Sequence, residues 1–325
     1  QVFVKTASYN FDVERFFIKW LADLRADQTP WGTIPHVIPN VFGTDDDCSA
    51  AWADAATICP WQIYQTYNNK QILEDSLHSM KEYIEFIESN SDNGIWSRSW
   101  HFGDWLNLDG TSPQDCSKGT EKSLIATAYY IYSSNILIKS MELFGEDASE
   151  LKEKRENSIA AFRREFMENG RIKPEFATQT ACVLAVHFGI SDNISETAKQ
   201  LNELVVECGH LKTGFVGTPY LLHALSANGY AETAYGLLLR EEYPSWLFSV
   251  KMGATTIWEH WDSVREDGTM WSTSMNSFNH YAYGAVADWL YGDAAGIKID
   301  ESKPAFEHIV FAPLTDGRLT YVKAS

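Results

Sequence analysis

Helical periodicity recurs along most of this chain, and no other feature limits its architecture as strongly. Between Gln71 and Ser89, Ile72, Leu73, Leu77, Met80, Ile84 and Ile87 fall at steps of three and four residues, which lines them along one helical face. Comparable spacing predicts helices over about 10–26, 50–67, 120–143, 147–168, 178–188, 194–207, 217–228, 231–240 and 277–290, several stopped by Gly145, Gly189, Gly209 or Gly229. Small and large residues mix in their cores, as at Ala126, Ala128, Tyr129 and Tyr132, so that helices can approach closely and rings fill the gaps. A short self-similar period is absent, which disfavours a consensus solenoid; helix pairs with unequal loops fit an all-α barrel or toroid. The tail departs from this pattern. Phe306, Ile309, Val310 and Phe311 precede Pro313, and Leu319, Tyr321 and Val322 follow Asp316-Gly317, a strand, turn and strand signal. Because a lone hairpin is marginal in water, the reading is a helical domain over 1–300 and the opening strands of a C-terminal β-sandwich domain over 301–325.

Composition narrows the partners. Of 325 residues, 45% are apolar and 22% charged, enough to bury a large core. With 26 basic against 44 acidic residues the formal net charge is −18, which repels phosphate, so nucleic acid and anionic membrane surfaces are excluded and a neutral substrate is expected. No run reaches the ~18 apolar residues of a membrane span, and the N-terminus has no basic-then-apolar leader. The chain reads as soluble, a cytoplasmic location being preferred to a periplasmic or secreted one; since Gln1 is not an initiating Met, export stays open. Cys48, Cys59, Cys116, Cys182 and Cys208 are odd in number and widely spaced, and read as buried small hydrophobes. H-E-x-x-H, G-x-S-x-G, Walker-type and G-x-G-x-x-G patterns are missing, so neither a metal nor a cofactor is expected.

Eight of the twelve tryptophans (Trp31, Trp96, Trp100, Trp105, Trp246, Trp258, Trp261 and Trp271) fall in three inter-helix segments, about 28–49, 92–119 and 242–276. Long loops in a compact domain are usually functional, which predicts a shared aromatic pocket; indole suits the C–H face and hydroxyl edge of a sugar ring. Carboxylates interleave with the rings: Asp54 in Ala51-Trp52-Ala53-Asp54, Asp104 in His101-Phe102-Gly103-Asp104-Trp105, and Glu259 in Trp258-Glu259-His260-Trp261. A carboxylate walled by indoles loses solvation and has a raised pKa, fitting it for acid–base work, and Glu259 is the leading candidate. Asp54 and Asp104 have a second reading as helix caps or loop hydrogen-bonders. Asp45-Asp46-Asp47 reads as a solvated acidic turn, and His280 is predicted to begin a helix at the pocket mouth.

Six segments carry a family resemblance: Ala51-Trp52-Ala53-Asp54-Ala55, Phe102-Gly103-Asp104-Trp105-Leu106, Thr213-Gly214-Phe215-Val216-Gly217-Thr218-Pro219, Tyr243-Pro244-Ser245-Trp246, Gly253-Ala254-Thr255-Thr256-Ile257-Trp258-Glu259 and Asn279-His280-Tyr281-Ala282-Tyr283-Gly284-Ala285. In this order they resemble the bacterial α-L-rhamnosidases of glycoside hydrolase family 78, over essentially the whole chain. The resemblance implies an (α/α)6 barrel and inverting hydrolysis of terminal non-reducing α-L-rhamnosyl groups from glycosides or polysaccharides, without a cofactor. It matches Glu259 to the general base, Trp52 and Trp105 to pocket tryptophans and His280 to a sugar-contacting histidine; Asp54, Asp104, Trp258 and Trp261 follow as substrate-binding residues by proximity. A homodimer is compatible with it. One departure is that the family's acid-bearing pattern, D-x-P-x-R-(D)-E-R-x-G-W-T-G-D-A, normally precedes the stretch resembling Gln1-Val2-Phe3-Val4-Lys5-Thr6-Ala7, where this chain begins. An inverting pair needs two carboxyl groups about 6.5–9.5 Å apart, so the expectation is a truncated catalytic domain, lacking its proton donor and nearly inactive alone. Two other readings are a glucoamylase-like or trehalase-like (α/α)6 glycosidase, and a non-catalytic glycan-binding module.

Overall fold

The computed structural model describes residues 1–43, 48–110 and 119–324. The acidic run Asp45–Asp47 and Cys116 lie outside the described residues, and Cys48, Cys59 and Cys182 are buried free thiols, Cys208 being partly exposed. Twelve α-helices occur among the described residues: α1 Val4–Asn10, α2 Glu14–Asp27, α3 Ala55–Tyr67, α4 Lys70–Ser89, α5 Lys122–Leu143, α6 Ser149–Phe166, α7 Gln179–His187, α8 Ile194–Cys208, α9 Thr218–Ser226, α10 Ala231–Leu238, α11 Trp246–Lys251 and α12 Val286–Trp289.

Their packing closes a ring. α3 packs on α4, α5 on α6, α7 on α8 and α9 on α10 as consecutive hairpins, while α1, α3, α5, α7, α9 and α12 contact one another in turn and α12 returns to α1. The sequence separates the two layers by how much of each helix is apolar. α5 and α7 are buried around nearly their whole circumference, with Ala126, Ala128, Ala181 and Ala185 allowing close approach, as inner helices must be. Helix α4 buries only the face through Ile72, Leu77, Met80 and Ile84, exposing Glu74, Asp75, His78 and Glu85, as an outer helix does. Six inner and outer elements in this order are a six-hairpin barrel.

Helix ends follow local chemistry. Asn69, Thr178, Asn193 and Ser245 accept a backbone N–H from the first turn of α4, α7, α8 and α11, and Gly209 ends α8 with φ 74°, where a side chain would be strained.

Two expectations, for 277–290 and for the tail, are corrected, and two hairpins between helices are added. The predicted helix 277–290 starts late, with Ala282–Ala285 in 3₁₀ form, then α12, then a π turn over Leu290–Ala294. Its first residues pair with the 257–259 segment instead: Glu259 and His280 donate backbone N–H bonds to Ser277 and Ile257. Asn93-Gly94 and Asn169-Gly170, with left-handed φ at both residues, turn two small hairpins, β1 Ser91–Asp92 with β2 Ile95–Trp96 and β3 Met167–Glu168 with β4 Arg171–Ile172. In the tail, β5 Ile297–Ile299 pairs antiparallel with β6 Ile309–Phe311, whereas Leu319, Tyr321 and Val322 form no strand. Strand alternation is visible locally, but the partner of a strand is a tertiary choice.

Candidate active site

A cavity of about 470 Å³ opens at the end of the barrel where the inner helices begin. Trp52, Trp105, Glu259 and His280 are on its wall; so are Trp20, His36, Phe102 and Phe215, which sequence reasoning did not assign to a site. Phe102 and Phe215 sit inside two of the quoted segments, Phe102 two residues before Asp104, and membership of those segments was the available signal. Trp20 lies in the predicted helix 10–26 and outside every quoted segment.

Two buried aspartates hold this wall from behind. Asp54 is fully buried; its Oδ2 accepts the Ala51 N–H at 2.7 Å and its Oδ1 accepts the Ser133 hydroxyl at 2.5 Å. The first bond pins Ala51 at φ 69°, a left-handed conformation costly for a residue with a Cβ, and that turn presents Trp52 to the cavity. Ser49 and His101 stitch the same turn to the next segment: Ser49 Oγ accepts the Phe102 N–H and His101 Nδ1 accepts the Ala50 N–H, each at 3.1 Å. Trp52 and Phe102 then meet with ring centroids 4.7 Å apart, and Trp105 packs edge-on to Phe102 at 5.6 Å.

Asp104 does the same for the 213–218 loop. Its carboxylate accepts the Thr180 hydroxyl at 2.5 Å and the backbone N–H groups of Gly214, Val216 and Gly217 at 2.8, 2.8 and 3.2 Å. The Trp105 carbonyl adds a bond from Phe215 N–H at 2.9 Å. Gly214 is required by this approach, since a Cβ there would stand 2.2 Å from the Trp105 carbonyl oxygen. Clamped this way, Phe215 stacks on His280 at 4.9 Å.

Glu259 is held differently. Its backbone N–H donates to Ser277 O at 2.9 Å and its Oε2 accepts the Ser277 N–H at 2.7 Å, while Oε1 accepts no hydrogen bond among the described residues. One oxygen is tethered and the other is free to meet a ligand. The neighbouring His280 imidazole has a lowered pKa, because burial outweighs the attraction of Glu259.

The wall therefore differs from the expected set. Asp54 and Asp104 are buried behind it, and burial, partly offset by their hydrogen bonds, pushes each carboxyl up to about 6. Trp261 is a core residue stacked on Tyr283 at 3.8 Å, and Trp258 is buried against Phe278. Of the eight loop tryptophans only Trp105 lines the cavity among the described residues: Trp96 and Trp246 are core, Trp271 stacks on His260, and Trp31 and Trp100 are exposed. A large ring buries more apolar area by packing its own loop than by lining a solvated pocket, so tryptophan density marked the loops and not the wall.

The buried support makes a pH prediction. His101, 3% exposed, has its pKa lowered to about 4 by burial, with Lys122 and His36 adding to the effect, and its unprotonated Nδ1 is the acceptor for Ala50. A histidine with a depressed folded-state pKa contributes stability that is complete above its unfolded value of about 6.5 and is lost as the pH falls towards 4, here roughly 3 kcal/mol. Asp54 and Asp104 act oppositely: with folded values raised, each favours the folded state as the pH falls from about 6 towards 4. The His101 signature is therefore the difference between two curves. His101→Asn, whose amide oxygen replaces Nδ1 as acceptor, should unfold in urea with a stability that falls less between pH 6.5 and 4.5 than wild type. Parallel curves would remove His101 as an acid-labile support.

Comparisons with known proteins agree with this architecture. Residues 1–294 match the family described as bacterial alpha-L-rhamnosidase 6 hairpin glycosidase domain. An alpha-L-rhamnosidase of Streptomyces avermitilis is 35% identical over 328 residues, covering 100% of this chain and 30% of that protein. One of Formosa agariphila is 37% identical over 333 residues, covering 100% and 35%. Among solved structures, the Streptomyces avermitilis alpha-L-rhamnosidase complexed with L-rhamnose superposes with a TM-score of 0.89 at 34% identity, over 98% of this chain and 30% of that one. The Aspergillus terreus enzyme gives 0.90 at 31%, over 97% and 37%. The chain thus spans about a third of the length of these relatives. Closed helical ring, matched sequence and superposed backbone lead to one assignment: the chain belongs to the bacterial α-L-rhamnosidase six-hairpin glycosidase family.

Proposed function

We propose that this chain forms the sugar pocket of an inverting α-L-rhamnosidase that removes terminal non-reducing rhamnose from a glycoside or polysaccharide, with Glu259 as general base. The observation that carries this reading is a carboxylate with one oxygen anchored to Ser277 and the other unpaired, on the wall of an aromatic cavity of monosaccharide scale. Free carboxylate oxygen beside bound sugar can take a proton from water as that water attacks the anomeric carbon. Trp52, Trp105 and Phe215 offer flat faces for the ring and an apolar surface for the methyl group of a 6-deoxy sugar. His280, held by its stack on Phe215, is placed to hydrogen-bond a hydroxyl.

Inversion also needs an acid across the sugar. Glu259 is the carboxylate on this wall among the described residues, and Gln1 and Val2 line the same cavity, so any residues preceding them are delivered to its rim. Turnover of an aryl α-L-rhamnoside is the test: the full-length protein should cleave it and leave the aryl glucoside intact. Glucoside cleavage without rhamnoside cleavage would overturn the substrate.

Trp105→Ala should raise KM for the rhamnoside by roughly 5- to 50-fold with kcat little changed, since a stacked ring contributes to binding in ground and transition states alike. Michaelis–Menten kinetics on the full-length protein check this. An unchanged KM would take Trp105 out of the sugar site.

A further inference from the structure

The inner helices connect the cavity described above to a second one. α1 has Gln1 and Val2 ahead of it on the first wall and carries Lys5 and Tyr9 to the other; α3 runs from Ala55 to Trp61 and Gln65. Similarly Val216 precedes α9, whose His223 lies on the far wall, and Ala282 is followed by Asp288 and Asp293. The second cavity, about 430 Å³, therefore occupies the opposite end of the barrel axis. None of the residues discussed for the rhamnosidase reaction reaches it.

We propose that this far-end cavity is a second binding site, for a neutral polyhydroxylated ligand the size of a sugar unit. Its polar wall is a chain of alternating charges: Lys5 Nζ lies 2.9 Å from Asp288, Asp288 3.1 Å from His223, His223 2.7 Å from Asp293, and Asp293 2.7 Å from Lys298. Every charge in the chain has an opposite neighbour, so an ionic ligand would have to displace one. A hydroxyl would not, because it can donate to a spare carboxylate lone pair or accept from the lysine ammonium without adding charge. The three central groups are only 12–15% exposed while Lys5 and Lys298 are 45% and 44% exposed, so ammonium hydrogens and carboxylate lone pairs of the chain stay accessible to a ligand. The same cavity is lined by the rings of Trp61, Tyr132 and Phe306, suited to the C–H face of the same ligand.

Two further features are aimed at this space. Gln65 is 4% exposed and lines the cavity; its amide N–H donates to the Glu301 carbonyl at 3.3 Å, but its Oε1 is buried with no hydrogen-bond partner among the described residues. Such an orphan acceptor is costly unless a ligand hydroxyl meets it. The backbone is also unusual there. Ala305 and Phe306 are consecutive non-glycine residues at φ 58° and 55°, a left-handed pair that turns the Phe306 ring in, and the π turn over Leu290–Ala294 turns Asp293 in. Left-handed non-glycine residues and π turns concentrate where a ligand is held.

The test is calorimetric titration of the full-length protein with L-rhamnose, D-galactose and D-glucose, comparing wild type with Trp61→Ala and, as a milder change should the first fail to fold, Gln65→Leu. For at least one sugar, both variants should lose a class of site or weaken it by tenfold or more, while kcat/KM for an aryl rhamnoside stays within twofold of wild type. Isotherms that superimpose on wild type for all three sugars would overturn the proposal. So would a loss of sugar binding matched by an equal loss of turnover, which assigns Trp61 and Gln65 a purely structural role.

Discussion

Glu259→Gln, in the full-length protein, is expected to lower kcat on an aryl α-L-rhamnoside by ~10²–10⁴-fold, the usual contribution of a positioned general base. The amide keeps the side-chain shape, and its oxygen can still accept the Ser277 N–H, so the pocket should persist. What it lacks is the capacity to take a proton from water. Rhamnose affinity should stay within a few-fold of wild type, and that split between kcat and binding identifies a group used in the transition state. Single-turnover kinetics together with a rhamnose titration make the measurement. Wild-type turnover would remove Glu259 from the mechanism, and a parallel loss of affinity would make it a pocket-forming residue instead.

Asp104→Ala should be the most destabilising single change among the residues that hold the cavity wall from behind. Four donors, the Thr180 hydroxyl and the N–H groups of Gly214, Val216 and Gly217, converge on one carboxylate that is 1% exposed. Deleting it leaves buried donors unpaired at about 1–3 kcal/mol each, so after relaxation a total loss of ~3–5 kcal/mol is expected in urea unfolding. Asp104→Asn should recover little, since its NH₂ would face groups that are themselves donors. The released loop carries Phe215, so kcat/KM should fall as well. Reduced sugar affinity at unchanged stability would instead make Asp104 a direct ligand of the substrate.

The comparison of Asp104 with Glu259 explains how much of the site was legible. In sequence both are carboxylates flanked by tryptophan, inside segments of family-like pattern. Their difference lies in partners: Asp104 meets donors from Thr180 and from the 214–217 backbone, whereas among the described residues Glu259 meets only Ser277, with one oxygen left over. No spacing rule encodes that, because the donors come from elements brought together only on folding. The same holds for the tryptophans. Trp105 and Trp96 belong to one loop, yet one lines the cavity and the other is wholly buried, its indole N–H bonded to Ser99.

Helix positions were legible for the opposite reason. The spacing of Ile72, Leu77, Met80 and Ile84, the side-chain cap at Asn69 and the left-handed stop at Gly209 act within one or two turns, so the chain states them locally. Where the prediction slipped, at 277–281, a distant segment outbid the helix by offering Ile257 and Glu259 as backbone partners. Amino-acid order alone thus determined the helical elements, the inner and outer character of α5 and α4, and the residue types able to bind a sugar. Tertiary structure decided which rings face the cavity, which carboxylates are buried as anchors and which is left with a free oxygen. The reason is range: periodicity and capping are settled between neighbours, whereas burial and hydrogen-bond partnership are settled across the ring.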